Sequence, residues 1–287
     1  MAGKLKTIKR ILLILLCTAF VLLIAFVIAG GGFGKKKGIT TLSFPGNQSV
    51  LLFAHRGIGN YFSENSEAGF QAAAEAGFKA IETDIHLSSD DVPVIFHDDN
   101  CKRLLGIDKE VNQFTASELT QLKILYDGKP SASNVLTLQE VAEKFGKRFV
   151  IYLDVKLHSI HMAEKMASLI KQNHLESSTI VANSNLLFIS YLEFYYPEIN
   201  TVMEGFTPGK EWLYGLIPKN FKPDYLSSFA EDVNAAHMNW IRENGLEANR
   251  IVYGVTSIDV SQVIESGIQK IILDYDSSMQ ETVLKFR

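Results

Sequence analysis

The stretch KAIETDI at residues 79–85 is a short, largely apolar run with two acids near its end. Such a run indicates a strand, and near-continuous apolar character is typical of parallel strands that are covered on both faces. Seven further runs of this kind occur along the chain, at residues 49–55, 148–156, 179–184, 199–205, 223–229, 250–256 and 270–276.

Helical patterns separate these strands, and alternation of the two indicates βαβ units. They are found at residues 65–77, 161–174, 186–196, 233–245 and 259–267. Eight units in a chain of 287 residues predict an α/β protein with a single (β/α)8 barrel of the TIM type. A doubly wound open sheet is the alternative, but no G-x-G-x-x-G follows the first strand. The longest interruption, residues 98–133, is predicted to be a loop with short helices.

The N-terminal stretch 11–29 reads ILLILLCTAFVLLIAFVIA and contains 19 residues without a charge. As a helix it would be roughly 28 Å long, which is close to the hydrocarbon thickness of a bilayer. We expect a basic tail at 1–10, a transmembrane helix at 11–29, a linker at 30–48 and a barrel domain at 49–287. A cleaved signal peptide is the alternative, although the apolar run is long for one and no A-x-A site follows it.

The charge distribution bears on sidedness and on partners. The first 30 residues hold four of the 28 basic residues and none of the 32 acidic ones, so the remainder has a formal net charge of −8. Four basic residues before the apolar run and three lysines after it slightly favour a cytoplasmic N-terminus. We therefore expect a single-pass protein of the cell membrane with an extracytoplasmic catalytic domain. An acidic body without clustered Lys and Arg is not expected to bind nucleic acid.

Acidic side chains stand at the predicted strand ends, where reactive groups of a parallel barrel gather. Glu82 and Asp84 are two residues apart on one strand and share a face, so their charges repel unless a cation lies between them. Asp154 ends the next strand and can supply a third oxygen ligand. Carboxylates suit a hard cation, Mg²⁺ or Ca²⁺. The alternative is a set of solvated acids at strand ends.

Two histidines occupy matching positions, His55 after the first strand and His97 after the short run VPVIFHDD. They are the expected catalytic acid–base pair, because an imidazole can take and return a proton near neutral pH. Arg56 and Lys156 are the candidates for contact with a phosphoryl group, although Lys156 could simply offset Asp154.

Three further positions carry weaker expectations. Glu64 and Asn65 precede a helix and are expected to support the metal ligands from behind, with Asn65 or Ser66 as the helix N-cap in the alternative interpretation. His86 lies two residues beyond Asp84 and could be a fourth ligand, but a neighbouring role or none is the preferred interpretation.

The order of these motifs resembles the glycerophosphodiester phosphodiesterase family. The resemblance is carried by H-R-G at 55–57, E-N at 64–65, E-x-D at 82–84, P-V-x-x-H-D at 93–98, an arginine at 103, T-L-x-E at 137–140 and D-x-K at 154–156. It implies a barrel, a divalent cation on Glu82 and Asp84, and catalysis by His55 and His97. The implied reaction is attack of a glycerol hydroxyl on phosphorus, which yields glycerol phosphate and an alcohol.

Departures from the family pattern leave the substrate open. Asp154 stands where the family usually has Glu, as in the related sphingomyelinase D-like enzymes, and a typical late T-D reads Leu273-Asp274. The substrate is therefore either a glycerophosphodiester or, for a lysophospholipase D or sphingomyelinase D-like phosphodiesterase, a lysophospholipid or sphingolipid. A catalytically inactive, membrane-anchored binding module is a third alternative, and the complete set of site residues argues against it.

Overall fold

The computed structural model describes residues 2–34, 36, 42 and 50–285, with side chains from residue 7 onward. Its strands are β1 (Leu51–Ala54), β2 (Ala80–Leu87), β3 (Pro93–Ile95), β4 (Lys123–Tyr126), β5 (Lys129–Asn134), β6 (Val150–Val155), β7 (Thr179–Asn183), β8 (Asn200–Met203), β9 (Tyr225–Phe229), β10 (Arg250–Val255) and β11 (Lys270–Leu273). Its helices are α1 (Ala2–Ala29), α2 (Glu67–Ala76), α3 (Lys102–Leu105), α4 (Ala116–Leu119), α5 (Leu138–Phe145), α6 (Ile160–Gln172), α7 (Leu186–Tyr195), α8 (Glu211–Leu216), α9 (Ala235–Glu243), α10 (Val260–Glu265) and α11 (Gln280–Lys285).

Eight of these strands form a closed parallel barrel, which confirms the predicted fold. The neighbour order is β1, β2, β6, β7, β8, β9, β10 and β11, and β11 pairs back to β1. Each of the eight predicted strands corresponds to one of them. The short strand β3 lies antiparallel beside β2 and is not part of the ring.

Alternation of side chains along the strands divides the core into two layers. Residues that point inward fill the barrel, where the rings of Phe53 and Tyr152 meet edge to face with centroids 5.9 Å apart. Residues that point outward, such as Ile81 and Leu153, pack against the surrounding helices. Burial on both faces explains why the strands read as near-continuous apolar runs.

The turn after β1 shows how local sequence places the site. Gly57 has φ +76, and a Cβ there would lie 2.7 Å from the backbone of Gly69 at the start of α2, so a larger residue does not fit. Ser66 caps α2 by accepting a hydrogen bond from the backbone N–H of Gly69. Gly77 ends the helix in the left-handed conformation, at the predicted position.

Residues 98–133 differ in part from the expectation of a loop with short helices. The short helices α3 and α4 are present, but a two-stranded hairpin of β4 and β5 follows them. Asp127 and Gly128 form its turn with φ 51 and 71. Asp-Gly is the preferred sequence for such a turn, so the hairpin could have been predicted.

The N-terminal helix α1 takes in residues 2–10 as well as the predicted span. It contains an apolar stretch of 23 residues, Thr7–Ala29, that is exposed and long enough to cross a membrane, as either an anchor or a signal sequence would be. Most of the predicted linker at 30–48 lies outside the described residues. The described part includes Lys36 and Leu42, and both are in contact with the barrel.

Candidate active site

The carboxyl ends of β2 and β6 bring three acids together. Asp84 and Asp154 are register partners on these adjacent parallel strands, and Glu82 lies two residues before Asp84. One carboxylate oxygen from each of the three lies within 4.8 Å of the others. Glu82 and Asp84 are nearly inaccessible, at 3% and 1% exposure. The sequence-predicted ligand set is therefore assembled as a compact cluster.

The two buried acids have opposite electrostatic environments. Burial, together with the charge of Asp84, raises the pKa of Glu82 to about 8. Burial also acts on Asp84, but Lys156 and Arg56 outweigh it and lower the pKa of that carboxyl. Lys156 Nζ lies 2.7 Å from Asp84 and 2.5 Å from Asp154. Negative charge is thus compensated at Asp84 and poorly compensated at Glu82.

The donor set fits a divalent cation. Three carboxylate oxygens on a rigid rim are hard ligands of the kind that Mg²⁺ and Ca²⁺ prefer. The raised pKa of Glu82 shows that burial and Asp84 disfavour its ionised form, which a bound cation would favour. His86 is not part of this cluster. Its Nε2 instead lies 3.2 Å from the carbonyl oxygen of His97. The fourth-ligand alternative therefore gains no support.

Both predicted histidines face the same cavity, and a carboxylate contacts each of them. The Nδ1 atom of His55 lies 2.5 Å from Asp274, at the end of β11, and its Nε2 lies 3.7 Å from Glu82. Burial opposes protonation of His55, but the hydrogen bond to Asp274 and the charge of Glu82 raise its pKa on balance. The Nδ1 atom of His97 lies 2.6 Å from Asp98. A carboxylate at Nδ1 leaves Nε2 of each ring for chemistry.

Arg56 connects the acids from its own unusual backbone conformation. It has φ 52, and its backbone N–H donates to Glu82 at 2.9 Å. Its side chain donates to Glu64 at 3.0 Å, and its Nε lies 3.2 Å from Asp84. A non-glycine residue held with positive φ beside the acids indicates a locally strained site.

Supporting residues hold these groups from behind. Asn65 donates to Asp84 at 2.7 Å and accepts from the hydroxyl of Thr83 at 2.7 Å, so it orients a carboxylate while Ser66 caps the helix. Glu64 accepts two hydrogen bonds from Arg103, at 2.7 and 2.9 Å. Arg103 also contacts Asp98, and the hydrogen bonds of Asp98 with Arg103 and His97 outweigh burial and lower the pKa of that carboxyl to about 2.

The cavity above the acids has a volume of about 400 Å³. Its opposite wall, from the second half of the barrel, is formed by apolar groups of Phe229, Tyr253 and Ile272. Two polar residues missed by the sequence interpretation also line it. Tyr152 donates to Glu204 at 2.7 Å, and Glu204 follows β8. Neither belongs to a local motif, and strand-end position was the one available signal.

The fold and the site define a (β/α)8-barrel enzyme with a histidine pair beside an acidic cluster at its mouth. The Glycerophosphoryl diester phosphodiesterase family matches residues 55–199, which is about half of the chain and includes both histidines and the three acids. The chain therefore belongs to this family, and its enzymatic activity is that of a glycerophosphodiester phosphodiesterase.

Individual relatives and a solved structure are similar to this chain. YhdW of Bacillus subtilis (strain 168), whose name places it provisionally among glycerophosphodiester phosphodiesterases, is 26% identical over 238 residues, or 79% of this chain and 95% of YhdW. Human Lysophospholipase D GDPD1 is 29% identical over 142 residues, or 46% of this chain and 44% of that protein. An Oleispira antarctica phosphodiesterase solved with its product sn-glycerol-3-phosphate superposes with a TM-score of 0.72 at 20% identity, covering 84% of this chain and 97% of that one.

Proposed function

We propose that the enzyme hydrolyses glycerophosphodiesters to glycerol phosphate and an alcohol, with a divalent cation held by Glu82, Asp84 and Asp154. The observation that carries this proposal is the convergence of these three acids with two histidines on one cavity. The cation would be Mg²⁺ or Ca²⁺, since all three side chains offer carboxylate oxygens.

The bound cation would supply Lewis-acid stabilisation of negative charge on the phosphoryl oxygens. The protein groups around it have complementary tasks. Arg56 and Lys156 bring positive charge to the phosphate side of the cavity, and both line it. Asn65 and Glu64 keep Asp84 and Arg56 in place through the hydrogen bonds described above.

His55 and His97 would move the protons. One takes the proton of the attacking glycerol hydroxyl and the other gives a proton to the leaving alcohol oxygen, which leaves a cyclic glycerol phosphate. A water molecule then opens this ring, with the two histidines in exchanged roles, to give glycerol phosphate. Asp274 and Asp98 contact the Nδ1 atoms, which leaves the Nε2 atom of each ring to exchange a proton with the substrate. The two histidines would thus exchange protons with the attacking and the leaving oxygen of the same phosphodiester.

The N-terminal helix would anchor the enzyme at a membrane. Residues 11–29 lie within the exposed apolar stretch of α1, and the basic residues before them favour a cytoplasmic N-terminus. The barrel would then act at the outer face of the cell membrane, close to lipid-derived glycerophosphodiesters.

A lysophospholipase D-like activity is the second candidate. The apolar wall formed by Phe229, Tyr253 and Ile272 could accommodate part of an acyl chain, and the relative named Lysophospholipase D GDPD1 matches 46% of this chain. Asp154, one methylene shorter than glutamate, is compatible with either substrate.

An assay of the full-length protein in detergent tests the proposal. Glycerophosphocholine, glycerophosphoglycerol and lysophosphatidylcholine would be supplied separately, with EDTA and after restoration of Mg²⁺ or Ca²⁺. We expect metal-dependent release of glycerol phosphate from the first two substrates. Exclusive cleavage of the lysolipid, to lysophosphatidate or a cyclic phosphate, would establish the second candidate instead. Full turnover in EDTA would contradict the metal site.

A further inference from the structure

The end of α1 is packed against the barrel domain. The ring of Phe26 stacks on that of Phe221 with centroids 4.8 Å apart. The backbone N–H of Asn220 donates to the carbonyl of Gly30 at 2.9 Å. A Cβ on Gly30 would lie 2.3 Å from Pro218, so this contact leaves no room for a side chain. Residues 218–221 therefore form a docking point for the last turn of the helix.

Large apolar side chains lie exposed beside this docking point. Trp212 and Leu216 on α8 are 65% and 60% exposed. Tyr195, at the end of α7, is also 60% exposed. We define the helix-side patch as the exposed residues Phe194, Tyr195, Trp212, Leu213 and Leu216.

The helix-side patch is continuous with the anchor. Phe194 lies against Phe221, with ring centroids 5.2 Å apart, and Phe221 in turn stacks on Phe26 of α1. On the other side, α8 ends at Leu216, two residues before Pro218. Ring contacts thus connect the end of the helix to Phe194, and α8 leads directly into the docking point.

The position of this surface along α1 matches a membrane interface. Phe26 lies three residues before the end of the helix at Ala29, which corresponds to about 4.5 Å along the helix axis. A body residue that stacks on Phe26 lies at headgroup depth if α1 spans a bilayer. Trp and Tyr are the side chains that favour this depth, because their rings are apolar and their N–H or O–H groups are polar.

The segment that follows α1 contacts the barrel at the amino ends of its strands. Beyond α1, Lys36 forms ion pairs with Glu193 and with Asp224, which immediately precedes β9. Leu42 is buried with Leu51, the first residue of β1, at the amino ends of the strands. The active-site acids lie at the opposite, carboxyl ends.

We propose that the helix-side patch rests on the lipid bilayer as a second membrane contact and turns the active-site mouth away from the membrane. This inference rests on the proposed anchoring by α1. It extends that proposal, because one helix alone would leave the barrel free to tilt. Substrates therefore reach the mouth from the aqueous side.

Spin labels on the full chain in phosphatidylcholine–phosphatidylglycerol vesicles test the orientation. The native Cys17, within α1, reports insertion of the anchor, while Cys101 is buried. In a Cys17→Ala background, Leu216→Cys probes the helix-side patch and Ile258→Cys probes the loop after β10, where Ile258 is 88% exposed. Collisions with oxygen report lipid, and collisions with a nickel chelate report water.

We expect the label at 216 to be accessible to oxygen and shielded from nickel, and the label at 258 to show the reverse. A water-exposed label at 216 with Cys17 in lipid would overturn the proposal while leaving the anchor intact. A lipid-exposed label at 258 would overturn the orientation. A water-exposed Cys17 would overturn the anchor itself, whereas the phosphodiesterase assay in detergent would be unaffected.

Intrinsic fluorescence gives a second measurement without cysteines. The chain has two tryptophans, and Trp240 packs against the rings of Phe206 and Tyr214. Brominated lipids should quench part of the wild-type emission and almost none of the emission of Trp212→Phe. Equal fractional quenching in both proteins would contradict contact of Trp212 with lipid.

Discussion

Two buried acidic clusters lie at opposite ends of the barrel and differ in the source of their counter-charge. At the amino end, Glu193 and Asp224 are 4% and 2% exposed and both pair with Lys36. At the carboxyl end, Glu82 and Asp84 are as deeply buried, but Glu82 faces the 400 Å³ cavity. Burial and a neighbouring acid raise the pKa of both Glu82 and Glu193 to about 8.

The comparison teaches that a raised carboxyl pKa does not by itself mark a catalytic centre. In the amino-end cluster the counter-charge is a side chain of the protein, Lys36, which connects the segment after α1 to the barrel. The carboxyl-end cluster has two histidines around it and space for a substrate and a cation. Four expected outcomes test this distinction between the two clusters.

The largest effect is expected at the carboxyl-end acids. Glu82→Ala or Asp84→Ala should abolish binding of the divalent cation and lower kcat/KM by about 10³-fold, because several kcal/mol of charge stabilisation are lost. Calorimetric titration with Mn²⁺ and product assays measure both quantities. Asp224→Asn is the matched control, and it should keep metal affinity and turnover per folded molecule. Metal-dependent turnover in Glu82→Ala would contradict the assigned role.

The two histidines should show the next largest effect. His55→Ala and His97→Ala should each lower kcat by about 10²-fold or more, the usual scale for general acid–base groups, while cation affinity is retained. His161→Ala is a suitable control, because this exposed histidine pairs with Asp91 away from the cavity. A near-normal rate in either variant would remove that histidine from the mechanism.

Loss of Lys36 should lower the free energy of unfolding without changing the turnover of the folded enzyme. Lys36→Met leaves two buried carboxyls without their cation, and breaking a buried ion pair costs about 3–5 kcal/mol. Urea denaturation measures the free energy of unfolding. Lys144→Met breaks the exposed pair with Glu67 and should cost at most about 1 kcal/mol. Equal stability of the two variants would show that the amino-end cluster is not buried as described.

The smallest expected effect is a pH dependence of stability. Because the folded-state pKa of Glu193 is raised to about 8, the folded protein binds more protons than the unfolded chain above about pH 4.5. This contribution to stability is present at low pH and is lost as the pH rises toward 8. Glu193→Gln should flatten the difference in unfolding free energy between pH 5 and 8 by up to about 3 kcal/mol, since a pKa difference of one unit corresponds to about 1.4 kcal/mol. An unchanged slope would contradict the raised pKa.

The barrel was predictable because each of its strands has a sequence pattern that can be recognised within a few consecutive residues. Each strand is a short apolar run, and motifs such as Glu82-Thr83-Asp84 place their side chains at strand ends by spacing alone. The hairpin of β4 and β5 was missed although Asp127-Gly128 marks its turn, because the whole segment was taken as a loop.

The remaining site residues depend on contacts between distant parts of the chain. His55 and Asp274 are 219 residues apart in sequence, and Lys36 and Asp224 are 188 apart. The closure of the ring brings β1 and β11 together, but spacing within a motif carries no information about such pairs. Glu204 has no motif around it, and its meeting with Tyr152 follows from the barrel interior.

A crystal structure of the full-length protein grown with Mn²⁺ would show, through anomalous scattering of the ion, whether the carboxyl-end acids hold a divalent cation. We predict a peak enclosed by the carboxylates of Glu82, Asp84 and Asp154, with His55 and His97 facing the same cavity. An empty carboxyl-end cluster, or a peak found instead beside Glu193 and Asp224, would contradict it.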